Sequence, residues 1–310
     1  MAKRKYTPPH LWRLEPEQCP RICTAAKPFR GHISVIQRNA IASWTKLEPR
    51  PQVMLFGAEE GTAETARDFG LTHIPEVSRN RHGTPLLADI LAQAEEHTAG
   101  ELLAYVNADI ILLQKFAEGI ARVCARFPKF LAVGRRTNLD ITEPLEFGPA
   151  WQQRLQDRLD REGRLETHTG IDFFVFPRGV YRDVPPLAIG RVWFDQWFIK
   201  RARQQHLPVV DLTAFSPIAH QNHDYCHVPG GRNLGTYGGP EAEENLALYG
   251  ERPHTYTILS ATHVMTQNGH IRRVVFRKQA EAMRTFLWKI FVHRTHKMRK
   301  RCGLTRGARA

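Results

Sequence analysis

Short apolar segments alternate with amphipathic segments along most of the chain. The apolar segments, which predict strands, read RICTAA, QVMLFG, THIPEV, ELLAYV, FLAVGRR, DFFVFPRG and PVVDLT. The amphipathic segments, which predict helices, read ISVIQRNAIASWTKL, GTAETARDFG, GTPLLADILAQAEEH, QKFAEGIARVCARF and GRVWFDQWFIKRARQQH. In the third of these, Thr84 is expected to be the N-cap, with Pro85 in the first turn. Strands that alternate with helices predict an α/β fold whose mostly parallel sheet has helices on both faces.

Two polar residues, Asn107 and Asp109, directly follow the apolar run LLAYV. If the strand ends at Val106, both lie at the carboxyl edge of the sheet, where ligands of such folds bind. Residues two apart on an extended segment point the same way, so both groups can face one ligand. An amide and a carboxylate oxygen suit a hard cation such as Mg²⁺ or Mn²⁺. The alternative is a turn in which both side chains cap the backbone.

Composition narrows the class of protein. The chain has 310 residues, 42% of them hydrophobic, which is ordinary for a globular protein. We find no apolar stretch of roughly 18 residues that would predict a transmembrane helix, and the N-terminal segment lacks the apolar core of a signal peptide. The five cysteines are scattered and without CxxC spacing, which argues against a disulfide framework or a zinc knuckle. A cytoplasmic location is expected.

The segment GELLAYVNADIIL resembles the DxD-bearing segment of nucleotide-sugar glycosyltransferases of the GT-A fold, with Asn107 in place of the first Asp. The order of elements over residues 18–262 is also similar to that family. The resemblance implies a GT-A, Rossmann-like domain that binds a nucleotide-diphosphate sugar. The implied donor-binding residues are Thr24, Lys27, Glu59, Arg79, Asn107 and Asp109; for Arg79 a solvated loop arginine is the alternative.

The same resemblance implies a metal site that a histidine from a late loop completes. The loop IAHQNHDYCH offers His220, His223 and His227, with Asp224 beside them. Imidazole nitrogen suits Mn²⁺ better than Mg²⁺. Asp109 with His223 is the favoured ligand pair for Mn²⁺ or Mg²⁺, and His220 is the reserve. A histidine-rich loop that only hydrogen-bonds its neighbours is the alternative.

Asp195 is the candidate catalytic base. An inverting transferase needs a carboxylate to deprotonate the acceptor hydroxyl, and in the family that acid commonly stands at a helix start. Asp195 stands near the N-terminus of a predicted helix. It lies between Trp193 and Trp197 in sequence, and the rings of these two residues are expected to stack on an acceptor sugar. Asp172 is a further acceptor-binding candidate or a strand cap. The alternative for Asp195 is a residue that interacts with the helix dipole among core aromatics.

The C-terminal region is strongly basic. From Arg277 onward it carries eleven Lys or Arg residues and one Glu, a large share of the net charge of +13. We expect three parts: a basic segment over 1–17, a catalytic domain over 18–262, and a basic amphipathic helical tail over 263–310. The tail is expected either to lie on an anionic membrane surface, making the protein peripheral, or to dock on the domain. No nucleic-acid recognition motif is found, so nucleic acid is not expected as a partner.

These features together predict a metal-assisted, hexosyltransferase-type glycosyltransferase. Its expected partners are a nucleotide-diphosphate sugar donor and a glycan or lipid-linked acceptor, and the reaction is expected to invert configuration. The alternative is a non-catalytic GT-A-fold protein with a decayed metal site, acting as a membrane-surface or partner-binding module. A dinucleotide-binding enzyme is disfavoured because no GxGxxG follows the first strand.

Overall fold

The computed structural model of the protein describes residue 14 and residues 18–223, 236–250 and 256–274. The predicted N-terminal segment falls almost entirely outside these residues. So do Asp224, His227 and the part of the predicted tail beyond residue 274. In the described part of the chain, no helix is both long and apolar enough to cross a membrane.

A nine-stranded sheet forms the centre of the described structure. Its strands are β1 (Arg21–Ala25), β2 (Val53–Phe56), β3 (Thr72–Ile74), β4 (Leu102–Val106), β6 (Leu131–Arg135), β9 (Ile171–Pro177), β10 (Val209–Asp211), β12 (His263–Met265) and β13 (Ile271–Arg273). The strand order is β13-β12-β10-β6-β9-β4-β1-β2-β3. Only β9 and β13 run antiparallel to their neighbours. The prediction of a mostly parallel α/β sheet is therefore confirmed.

Helices cover both faces of this sheet. They are α1 (Gly31–Thr45), α2 (Thr62–Phe69), α3 (Leu87–Glu96), α4 (Gln114–Cys124), α6 (Phe194–Gln204) and α7 (Pro240–Tyr249). A further helix, α5 (Trp151–Glu162), packs instead in a smaller core with Ile111 and Leu139. Successive strand residues point to opposite faces, so Ala104 packs in a core with α1 and α4. The adjacent Tyr105 packs in a second core with α3 and α6. Strands buried on both faces explain why these segments are continuously apolar instead of alternating.

A second, smaller sheet lies beside the carboxyl edge of β4. Its strands are β5 (Ile110–Ile111), β7 (Thr137–Leu139), β8 (Arg164–Leu165) and β11 (Ala219–Gln221), in the order β5-β11-β7-β8. Because β5 begins just after Asp109 and pairs with β11, this sheet brings residues from the last third of the chain to that edge.

Two local expectations need correction. Thr84 does not cap α3, because residues 85 and 86 are held extended in bridges to Arg79 and Ala188, and the helix begins at Leu87. The sheet also continues beyond Thr262, where we expected the tail to begin. β12 pairs in parallel with β10, and β13 pairs with β12.

Candidate functional site

The carboxyl ends of several strands meet around one cleft of about 380 Å³. Lys27 follows β1, Asn107 follows β4, and Arg136 follows β6. Because β9 runs antiparallel between β4 and β6, its first residues lie at the same edge, and Asp172 lies next to Asn107. The Asn107 N–H donates to the Asp172 carbonyl at 3.0 Å. The topology thus assembles the cleft from segments far apart in sequence.

Asp109, His220 and His223 form a cluster with the geometry of a metal site. Potential ligand atoms of the three side chains all lie within 4.8 Å of one another. Asp109 Oδ2 is 3.4 Å from His223 Nε2 and 3.8 Å from His220 Nε2. The local cause is the pairing of β5 with β11, which aligns His220 with Ile110, directly after Asp109.

Electrostatics keep Asp109 and His220 in ligand-competent protonation states. Burial would raise the pKa of Asp109, but His220, His223 and Lys27 outweigh it and hold the pKa well below its ordinary value. Burial lowers the pKa of His220 to about 4, against the opposing influence of Asp109. Asp109 Oδ1 and His220 Nδ1 are buried and have no hydrogen-bond partner among the described residues. An ionised carboxylate with free acceptor capacity beside neutral imidazole is a donor set that fits Mn²⁺ and similar ions.

Lys27 places an ammonium group against the same cluster. Its Nζ lies 3.6 Å from Asp109 Oδ2 and 3.4 Å from His223 Nε2. The lysine backbone is fixed by the buried Gln37 of α1. Gln37 Oε1 accepts from the Lys27 N–H at 2.7 Å, and Gln37 Nε2 donates to the Lys27 carbonyl at 2.9 Å. The point from which the Lys27 side chain extends is therefore positioned by a buried side chain of α1.

Asn107 and Arg136 both hold the carboxylate of Asp172. Asn107 Nδ2 donates to Asp172 Oδ1 at 2.7 Å, and Arg136 Nη1 donates to the same oxygen at 3.1 Å. Arg136 also lies 3.6 Å from Glu166, whose pKa is lowered to about 2 by the Thr167 N–H against a raising effect of burial. Asp172 Oδ2 is buried with no hydrogen-bond partner in the described structure. The cleft therefore contains a second oriented carboxylate beside Asp109.

Asp195 lies in the first turn of α6 and lines the cleft. Its Oδ1 accepts from the Gln196 N–H at 2.9 Å. Removal from water raises the pKa of Asp195 to about 7; the Gln196 N–H opposes this and the Asp172 carboxylate adds to it. A carboxyl group that titrates near neutral pH is suited to general acid–base work.

Of the three remaining predicted donor-binding residues, two line the cleft and one does not. Glu59 and Arg79 line the cleft and pair with each other at 2.7 Å. Arg79 also donates to the Gly83 carbonyl at 2.8 Å, so it is tethered within its loop. Thr24 is fully buried within β1 and is not among the residues that line the cleft, because its side chain lies on a covered face of the sheet.

The two tryptophans predicted to bind an acceptor do not line the cleft either. Trp193 packs against Tyr249 with ring centroids 5.1 Å apart. Trp197 is buried against Tyr181 and Phe198. Both belong to the core beneath α6 because that helix turns its aromatic face toward the sheet. The cleft wall near Asp195 is instead formed by Phe194 and Gln196 on the same helix.

Sequence reasoning missed Arg191, a cationic side chain that also lines the cleft. Arg191 pairs with Glu241 of α7 at 2.7 Å, and Glu241 also accepts from Asn80 at 2.8 Å. The partners are fifty and more residues apart, so no local spacing signals them. Arg136 also lines the cleft, and its contact with Asp172 depends on strand order, which no local spacing signals.

No family model matches the chain, and a search of the curated proteins finds no match. Among solved structures, the chain is similar to S. aureus TarS 1-349, with 11% identity, a TM-score of 0.31, and coverage of 40% of this chain and 37% of that one. The same TarS fragment in complex with UDP-GlcNAc gives 12% identity and a TM-score of 0.29, over 39% of this chain and 35% of that one. The mannosyltransferase PcManGT from Pyrobaculum calidifontis, in complex with GDP-Man and Mn²⁺, gives 13% identity, a TM-score of 0.38, and coverage of 62% and 54%.

This chain thus spans well under two thirds of the length of these structures. Likenesses this distant do not establish a family or an activity. Function is inferred from the cleft itself.

Proposed function

We propose that this protein is a nucleotide-sugar glycosyltransferase of the GT-A type, assisted by a divalent metal ion and inverting in outcome. The observation that carries the proposal is the presence, in one cleft, of the Asp109, His220 and His223 cluster together with Asp195. One part of the cleft can hold a cation and a diphosphate, and the other offers a base whose pKa is about 7. An inverting glycosyl transfer needs both.

The residues have distinct roles in this proposal. Asp109, His220 and His223 would hold Mn²⁺ or Mg²⁺, which when bound supplies positive charge for the departing diphosphate. Asp195 accepts the proton of the acceptor hydroxyl as that oxygen attacks the anomeric carbon. Asp172, fixed by Asn107 and Arg136, offers Oδ2 as an acceptor for a sugar hydroxyl. Glu59 and Arg79, which line the cleft, would contact the nucleoside end of the donor.

Calorimetric titration of UDP and GDP, with and without Mn²⁺, tests the proposal. We expect one nucleotide to bind in the presence of Mn²⁺, and Asp109→Ala to weaken that binding by at least about tenfold because a charged ligand is lost. Asp157→Ala removes an exposed carboxylate of α5 and serves as the matched control. Absence of binding to either nucleotide under all conditions would contradict the proposal and favour the non-catalytic alternative.

A further inference from the structure

Lys27 contacts the same atoms that would bind a metal ion. Its Nζ lies 3.6 Å from Asp109 Oδ2 and 3.4 Å from His223 Nε2, and these two residues belong to the three-residue cluster. The one lone pair of His223 Nε2 cannot serve an ammonium donor and a divalent cation at once, and two cations this close to Asp109 repel each other. The position therefore has room for one cation at a time.

The fold fixes the backbone of Lys27 beside the cluster, so Lys27 is more than a surface lysine whose side chain happens to reach inward. Gln37 is buried and holds the Lys27 backbone from both sides, by accepting from its N–H and donating to its carbonyl. The Lys27 side chain has 31% of its surface exposed, so it has an open direction into the cleft as well as the contact with Asp109. A side chain with a fixed backbone and a partly exposed end is suited to alternate between two positions.

We infer that Lys27 is a resident cation of the Asp109 site and that it competes directly with the divalent ion. Without metal, the ammonium neutralises Asp109. When metal enters, Lys27 leaves Asp109 and extends into the cleft, where the donor diphosphate would be. The inference rests on the proposed function for the metal site but not on the identity of the donor.

Direct Mn²⁺ titration in the absence of nucleotide, followed by electron paramagnetic resonance of free Mn²⁺, tests this inference on the full chain. We expect Lys27→Met to bind Mn²⁺ at least about tenfold more tightly than the unmodified protein, because a like charge next to the site is removed. Lys27→Arg keeps the charge and should keep the low affinity. The gain should disappear in the double variant Lys27→Met with Asp109→Asn, which places the bound ion at Asp109.

Arg79→Met is the matched control. It also removes one positive charge from the cleft, but Arg79 pairs with Glu59 and not with the cluster. Its Mn²⁺ affinity should stay within about twofold of the unmodified protein if the competition is local, since a distant charge is screened. An equal gain in both methionine variants would overturn the inference in favour of a general charge effect.

A crystal structure of the unmodified protein with Mn²⁺ gives a second test that needs no variant to fold. We expect Lys27 Nζ to have left Asp109 when the ion is bound; an ion bound with that contact intact would overturn the inference. The inference would also be overturned if the Lys27→Met protein and the unmodified protein bound Mn²⁺ equally tightly. If Asp109→Asn then abolished that binding, the metal site of the proposed function would still stand. Failure of both proteins to bind Mn²⁺ also overturns it, and the UDP and GDP titrations then decide the proposed function separately.

Discussion

Asn107 occupies the position where the resemblance implies the first Asp of a DxD motif, and the structure gives a physical reason for the amide. Its Nδ2 donates at 2.7 Å to Asp172 Oδ1, which Arg136 also contacts. A carboxylate at position 107 would put two negative charges within hydrogen-bond distance, with one arginine between them. The carboxylate beside Asn107 thus comes from Asp172 on the neighbouring strand β9.

Replacing the amide tests this arrangement. We expect Asn107→Asp to lower the free energy of unfolding at pH 8 by about 1–3 kcal/mol, because a partly buried donor becomes a like charge beside Asp172. Chemical denaturation measures the change. The reversed pair, Asn107→Asp with Asp172→Asn, restores one amide and one carboxylate and should recover most of the loss. Equal stability of Asn107→Asp and the unmodified protein would show that the contact does not constrain position 107.

Asp195 gives a prediction about pH that needs no substrate. Its pKa is raised to about 7 in the folded protein and is near its ordinary value of 3.8 when unfolded. Between these values the folded state holds a proton that the unfolded state has lost, so this group lowers stability as the pH rises from about 4 to about 7. Asp195→Asn, which resembles the protonated form, should therefore be more stable than the unmodified protein at pH 8. The difference should vanish near pH 4.

Denaturation of both proteins at pH 4, 6 and 8 measures this effect. If the Asp195→Asn stability difference does not depend on pH, the carboxyl is not perturbed and is a poor candidate for the base. With a donor identified, the proposed role adds that kcat/KM rises with pH up to about 7 and then levels. The variant should lose roughly 10²–10⁴-fold in rate.

At the scale of elements, the apolar and amphipathic periodicity was sufficient to predict the strands and helices that carry most of the cleft. The end of β4 at Val106 follows from the apolar run that stops there, and the start of α6 before Asp195 follows from a segment long enough to show the helical period. The strands of the second sheet were missed because two or three residues show no period, and their pairing is set by distant contacts. Trp193 and Trp197 do not line the cleft, whereas Phe194 does, because the start of α6 presents both a core face and a cleft face. Strand order, which brings Asp172 to Asn107, is not encoded in any local pattern.

At the scale of the whole molecule, the buried amides of Gln221 and Asn39 join the second sheet to α1 and to the turn that carries Asp109. Gln221, the last residue of β11, is fully buried; its Nε2 donates to the Ile36 carbonyl of α1 at 2.7 Å and to the Asp109 carbonyl at 3.2 Å. Its Oε1 accepts from Asn39 Nδ2 at 3.0 Å, and Asn39 also bonds the backbone of residues 143 and 145. The amide network thus fixes the turn of Asp109 relative to the strand of His220.

Gln221→Leu tests whether this network, and not the strand pairing alone, sets the geometry of the cluster. The leucine keeps the volume but leaves the buried Asn39 amide and the Asp109 carbonyl with one partner fewer, so we expect a loss of about 1–3 kcal/mol in the free energy of unfolding. Because Asp109 and His220 lose their common support, Mn²⁺ affinity should fall as well. Gln153→Leu on α5 removes an exposed glutamine that bonds only Asp157 among its recorded contacts and should change neither quantity. A destabilised Gln221→Leu that still binds Mn²⁺ with unchanged affinity would show that β5 and β11 hold the cluster by backbone pairing, and the amides would then serve only to join β11 to α1.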